Sequence, residues 1–121
     1  MRLWRIALSM LLLALAAAGP AAAAQSFVEG LPDVPLMDGL TALPDSGVIF
    51  DKPDGRIVEA YAAGEVAAAK VLSFYGATLP SLGWRQRSPR VWAREGERLE
   101  LELLGPAQGL LTLRFVLSPD R

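Results

Sequence analysis

The sequence predicts a small α+β domain in which one amphipathic helix packs on an antiparallel sheet. Residues 65–79 repeat apolar side chains at helical spacing, and no other segment after the leader does so over a comparable length. The residues before this segment are typical of a β-hairpin, and those after it alternate apolar and polar side chains as half-buried strands do. The predicted order is therefore a β-hairpin, one helix and an antiparallel meander of three or four strands, which together form a two-layer α/β sandwich.

The hairpin prediction depends on a turn between two β-branched and aromatic runs. Residues 47–51 and 56–62 flank Lys52-Pro53-Asp54-Gly55, where proline presets a turn and glycine accepts positive φ. In the meander, Leu99, Leu101 and Leu103 share one strand face. The inward residues of the last strand are Leu111, Leu113, Phe115 and Leu117. The predicted helix stripe comprises Ala68, Val71, Leu72, Tyr75, Leu79 and Leu82, with Pro80 ending the helix near Leu79.

The first 24 residues have the layout of a bacterial secretory signal peptide. Arg2 and Arg5 give a basic start, residues 6–18 are almost wholly apolar, and small residues follow up to Ala24. We expect cleavage between Ala24 and Gln25, which places the mature protein in the periplasm or outside the cell. The alternative is a membrane anchor, but the apolar run is shorter than the about 20 residues that span a bilayer.

Residues 25–46 are predicted to form an extended arm ahead of a single domain at 47–119. Pro32, Pro35 and Pro44 disfavour a regular helix or a central strand in this stretch. Its apolar residues are too numerous for a solvated tail, so we expect part of the arm to pack on the domain. A disordered linker is the alternative.

Charge argues against several classes of partner. The leader holds two of the 12 basic residues and none of the 13 acidic ones, so the mature chain carries a net charge of −3. Nucleic-acid binding needs a positive face, and attraction to an anionic membrane needs basic residues. We therefore expect no nucleic-acid partner and no stable membrane insertion after cleavage of the leader.

The chain contains no histidine and no cysteine. Nucleophile arrangements built on Ser–His–Asp or Cys–His cannot form, and the main ligands for zinc, copper and haem are missing. No glycine-rich phosphate loop of standard spacing is present. We expect no catalytic residues, no metal and no cofactor, and the missing cysteine also excludes a lipoprotein anchor.

One short phrase carries a family resemblance. The stretch from Tyr75 to Trp84, YGATLPSLGW, joins the helix to the next strand. It resembles small exported bacterial domains of uncharacterised function that have a helix-YxxxLPxxGW-strand pattern. The resemblance implies the α+β fold and export, and it supplies no catalytic residues.

Four residues form the candidate ligand or interaction surface: Trp84, Trp92, Arg85 and Arg87. Arg85 and Arg87 share a strand face and belong to an arginine-rich stretch with Arg90, Arg94 and Arg98. They would bind an anionic group, although a solvated face paired with glutamates is the favoured interpretation. The tryptophans would line an apolar pocket, although packing in the core is the favoured interpretation.

These observations favour an exported, non-enzymatic protein-interaction or envelope-structural domain whose partner is another envelope protein. The alternative is a carrier of a small apolar or amphipathic ligand held between helix and sheet. A hydrolase using arginine and the carboxylates Glu59, Glu100 and Glu102 is a remote alternative, since strand alternation predicts that these carboxylates are exposed.

Overall fold

The computed structural model describes residues 25–106 and 109–120, and the predicted leader lies outside them. The strands in chain order are β1 (Phe27–Val28), β2 (Leu31–Pro35), β3 (Thr41–Ala42), β4 (Val48–Lys52), β5 (Gly55–Glu65), β6 (Arg85–Ser88), β7 (Val91–Arg94), β8 (Glu97–Leu104) and β9 (Leu110–Pro119). The helix α1 (Ala68–Ser81) lies between β5 and β6.

One large antiparallel sheet dominates the described residues. Its strand order is β3-β5-β9-β8-β7-β6, and β4 also pairs with β5. The eleven-residue β5 is long enough for β4 to pair with its first half and β3 with its second half along the same edge. One helix on a mostly antiparallel sheet confirms the predicted α+β class.

The residues of β8 and β9 that face the core are those that the alternation of apolar and polar side chains predicts. Leu99 and Leu101 of β8 are buried, Leu103 is partly buried, and the four predicted inward residues of β9 are all buried. The hairpin turn also forms as predicted, with Lys52 paired to Gly55 across Pro53 and Asp54. These strands therefore bury one apolar face and leave the other half-exposed.

The helix differs from its prediction at both ends. It begins at Ala68 because β5 continues to Glu65, which pairs with Leu110 and so cannot start a helix. It ends at Ser81, so Pro80 does not end it near Leu79 as predicted but lies in its last turn. The fixed φ of proline suits a helix, whereas its missing N–H removes one backbone bond, and the helix ends one residue later.

The buried stripe of α1 is also narrower than predicted. It consists of Val71, Tyr75 and Leu79 at intervals of four residues. Leu72 is half-buried and Leu82 is 40% exposed. The prediction that these two residues belong to the buried stripe is therefore wrong.

The arm, residues 25–46, packs on the same core. β1 and β2 pair with each other, and six arm residues are buried in the core cluster: Val28, Leu31, Val34, Leu36, Met37 and Leu40. Tyr75 of α1 joins the arm to the helix. Its hydroxyl donates to the Pro35 carbonyl at 2.8 Å and accepts from the Met37 amide at 3.2 Å, while its ring meets Phe115 edge-on at 5.6 Å. Arm, helix and sheet thus share one hydrophobic core.

Candidate functional site

The structure separates the four residues that the sequence singled out. Trp84 and Trp92 are 3% and 0% exposed and belong to the core cluster. Within the described residues their indole N–H groups have no hydrogen-bond partner. Arg85 and Arg87 lie instead on the exposed strand β6. The four side chains therefore do not form one continuous surface.

The arginine-rich stretch does not converge on one point either. Arg87 donates two hydrogen bonds to Asp120, at 2.7 and 2.5 Å, and Arg98 pairs with Glu100. Arg94 lies 4.4 Å from the Trp84 ring, where it bonds Asp33 of the arm and the Leu82 carbonyl. Sequence reasoning missed this structural role, because Asp33 and Arg94 meet only when the arm folds back.

Two of the three candidate catalytic carboxylates are held in one ion-pair group on the sheet face opposite the helix. Arg114 of β9 donates to Glu102 of β8 at 2.5 Å and to Glu59 of β5 at 2.6 Å. The hydrogen bond to Glu102, with a smaller contribution from Glu59, raises the pKa of the Arg114 guanidinium above its ordinary value. This group links three neighbouring strands and leaves neither carboxylate unpaired.

The two outer edges of the sheet have opposite character. β6 is polar, its register shifts between Gln86 and Ser88, Arg87 is ion-paired, and Pro89 follows the strand. Charges, bulges and proline are the means by which proteins keep an edge strand from pairing with another chain. The edge at β6 is therefore protected against association.

The edge at β4 has little of this protection. All five residues of β4 are exposed, and the apolar ones, Val48, Ile49 and Phe50, are 37%, 60% and 57% exposed. Its pairing with β5 runs without a register shift from Lys52–Gly55 to Val48–Glu59. Lys52 and Pro53 lie only at the turn end. β4 is thus a regular, apolar edge strand, the feature that most favours pairing with a further strand.

The register of the hairpin shows which backbone groups are free. In a two-residue hairpin the closing pair, here Lys52 and Gly55, is hydrogen-bonded, and hydrogen-bonded pairs then alternate along the strand. Val48, Phe50 and Lys52 therefore direct their N–H and C=O groups toward β5. Ile49 and Asp51 direct theirs outward, and no partner for these backbone groups occurs among residues 25–106 and 109–120.

The side chains of β4 divide between the two faces of the sheet. Ile49 pairs with the buried Val58, and its Cδ1 lies 3.2 Å from where a Cβ on Gly30 would stand, so it is on the helix-and-arm face. Phe50 pairs with Ile57 on the opposite face. A strand added beside β4 would therefore meet apolar side chains on both faces.

A second apolar surface lies between the arm and α1. This groove has a volume of about 630 Å³ and is lined mainly by apolar residues. Its lining residues are Gln25, Phe27, Pro32, Asp33, Pro35, Phe74, Thr78 and Leu82. It lies between helix and arm, not between helix and sheet where the sequence placed an alternative ligand site.

Fold and site together define an α+β domain with one apolar, unprotected sheet edge. In the described part of the chain, no three His, Cys, Asp or Glu side chains come together as metal ligands, and no helix has the length and apolar character needed to cross a membrane. Comparison of the chain with protein-family models, curated proteins and solved structures finds no match.

Proposed function

We propose that this protein is an exported, non-enzymatic domain of the cell envelope that acts by protein–protein contact through the β4 edge. The observation that carries the proposal is the exposed run Val48-Ile49-Phe50 on a regular edge strand with outward backbone groups. A strand bound there gains main-chain hydrogen bonds and apolar contacts together. No comparable combination occurs at the β6 edge of the same sheet.

The arrangement of charged groups supports a non-enzymatic role. Glu59 and Glu102 share Arg114, and Glu100 is bonded to Arg98. A general acid or base needs a carboxylate directed toward a substrate cleft, and ion pairs across a sheet face serve strand packing instead.

Export is proposed from the sequence of residues 1–24, with cleavage after Ala24. Intact-mass analysis of the protein recovered from the periplasm should give an N-terminus at Gln25. Recovery of the chain with Met1 in the membrane fraction would contradict export as a soluble domain.

In-cell photo-cross-linking tests the contact role. A photoreactive phenylalanine analogue in place of Phe50 should give a discrete cross-linked product, and the product should disappear when Ile49→Pro is added. The matched control carries the analogue at Leu110, which is 64% exposed and lies on the distant turn end of β9. Equal labelling from positions 50 and 110, or none from position 50, would reject the β4 edge as the contact surface.

A second candidate function, a carrier of a small apolar ligand, is favoured by the groove between the arm and α1. Phe27 and Leu82 are half-exposed in its wall, and Phe74 is partly buried there. An environment-sensitive apolar dye should bind the mature protein and lose affinity in Phe74→Ser but not in Leu110→Ser. Equal binding by both variants would assign the dye to general surface hydrophobicity.

A further inference from the structure

We infer that the occupant of the β4 edge is a second copy of this chain, paired antiparallel about a two-fold axis at Phe50. This inference rests on the proposed contact function and names the partner. The strand is short, apolar and neutral, since the single acid Asp51 is followed by the single base Lys52. Its chemistry gives no advantage to a strongly acidic or strongly basic partner.

The free backbone groups of β4 are complementary to themselves. Ile49 and Asp51 lie one residue on either side of Phe50, and their N–H and C=O groups are the ones that point outward. An axis at Phe50 sets Ile49 of each copy opposite Asp51 of the other. Each of these two pairs exchanges two N–H···O bonds, so four hydrogen bonds join the copies.

Charge favours the register with its axis at Phe50 over the register that is shifted by one residue toward the hairpin turn. An axis at Asp51 would place two carboxylates directly opposite each other, which is destabilising. With the axis at Phe50, Asp51 faces Ile49 and Lys52 faces Val48 of the other copy, so no like charges are opposed. The two Phe50 rings then lie opposite each other on the face away from the helix and form an aromatic cross-strand pair.

The size of the edge sets the strength of the association. The five residues of β4 are far fewer than the roughly 20–30 residues that each partner contributes to a stable protein interface. We therefore expect a reversible dimer that dissociates on dilution. The −3 charge of each mature chain adds a weak repulsion that salt reduces.

Disulfide trapping tests the geometry. The chain has no cysteine, so Phe50→Cys introduces the only thiol. At a non-hydrogen-bonded antiparallel pair the Cα atoms are about 4.5 Å apart, within the range that a disulfide bridges. The mature Phe50→Cys protein in a glutathione redox buffer should become mainly a disulfide-linked dimer, whereas Leu110→Cys should remain mainly monomeric.

Sedimentation velocity of cysteine-free protein gives the independent measurement. The mature wild-type chain should shift from monomer to dimer with concentration, and Ile49→Val should do the same. Ile49→Pro should stay monomeric, because it removes an outward N–H without removing a bond to β5. The disulfide assay decides the matter if the proline variant does not fold.

Two results would overturn self-pairing. The first is a combination of two observations: the wild-type chain stays monomeric up to about 1 mM, and Phe50→Cys forms no more disulfide-linked dimer than Leu110→Cys. A chain that is monomeric at this concentration has a dimer Kd above about 1 mM, which is weaker than a specific contact requires. The other is an in-cell cross-link from position 50 to a different protein and none to a second copy. The second result would leave the proposed contact function intact and replace only its partner.

Discussion

The hydroxyl of Tyr75 gives the sharpest test of how the arm is attached to the domain. This side chain is fully buried, and its oxygen satisfies the Pro35 carbonyl and the Met37 amide. Tyr75→Phe keeps the ring and its contact with Phe115 but leaves two buried backbone groups without partners. Two net hydrogen bonds of about 0.5–1.5 kcal/mol each contribute about 1–3 kcal/mol, and two unsatisfied buried groups of about 1–3 kcal/mol each cost about 2–6 kcal/mol. The two ranges overlap at about 2–3 kcal/mol, which is the loss of stability that we expect.

Urea unfolding followed by the fluorescence of the buried tryptophans measures this loss. A loss of about 2 kcal/mol lowers the Tm of a domain of this size by roughly 8–16 °C. Tyr61→Phe is the matched control, because Tyr61 is half-exposed and its hydroxyl has no hydrogen bond within the described residues. A Tyr75→Phe protein as stable as Tyr61→Phe would refute the attachment of the arm through this hydroxyl.

The same residue predicts a pH dependence. Burial raises the pKa of Tyr75 above its ordinary value of 10.0. The neutral phenol therefore stabilises the fold fully below pH 10, and stability falls above it because the unfolded chain loses its proton first. The contribution of Tyr75 to the slope reaches about 1.4 kcal/mol per pH unit for one proton, and this contribution is absent in Tyr75→Phe. Unfolding curves at several pH values above 10 measure it, and parallel pH profiles for the wild type and Tyr75→Phe would contradict the assignment.

Three further stability predictions follow from packing, each checked by urea unfolding. Gly64→Ala should lower the free energy of unfolding by about 1–3 kcal/mol, because its Cβ would lie 2.0 Å from a backbone oxygen of the arm. Gly76→Ala should raise it by about 0.5–1 kcal/mol, since that helical position is open. A Gly64→Ala protein more stable than Gly76→Ala would mean that the arm does not approach β5. Leu101→Ala should lower the free energy of unfolding by about 2–5 kcal/mol, and Glu100→Ala should hardly change it. Similar losses for the two variants would mean that the register described for β8 is wrong. Arg85→Gln with Arg87→Gln should change stability by less than about 1 kcal/mol, because the Arg87–Asp120 pair is exposed, and a larger loss would make β6 structurally important.

The sequence predicts the sheet more accurately than the helix. Alternation is local, so each leucine of β8 and β9 indicates its own face without knowledge of the rest of the fold. The start of α1 is different, because Ala-rich residues after Glu65 suit a helix and β5 extends through Glu65 only by pairing with β9. Long-range pairing thus overrides local helical preference at this boundary.

The candidate site shows the same division. The apolar run Val48-Ile49-Phe50 is visible in the sequence, but only the topology shows that β4 ends as an edge strand. The sequence instead drew attention to Trp84 and Trp92, which the structure buries, and to arginines whose partners are far away along the chain. Composition identifies apolar and charged segments, whereas the order of strands in the sheet determines which of these segments stay exposed.

Amide hydrogen exchange along β4 tests the central claim most directly. In dilute mature protein, the amides of Phe50 and Lys52 should be protected by their bonds to β5, and those of Ile49 and Asp51 should exchange at rates near those of an unstructured chain. Raising the protein concentration should protect Ile49 and Asp51 selectively. Uniform protection of all four amides at low concentration, or free exchange of Ile49 and Asp51 at every concentration and with every envelope extract, would contradict a binding edge at β4.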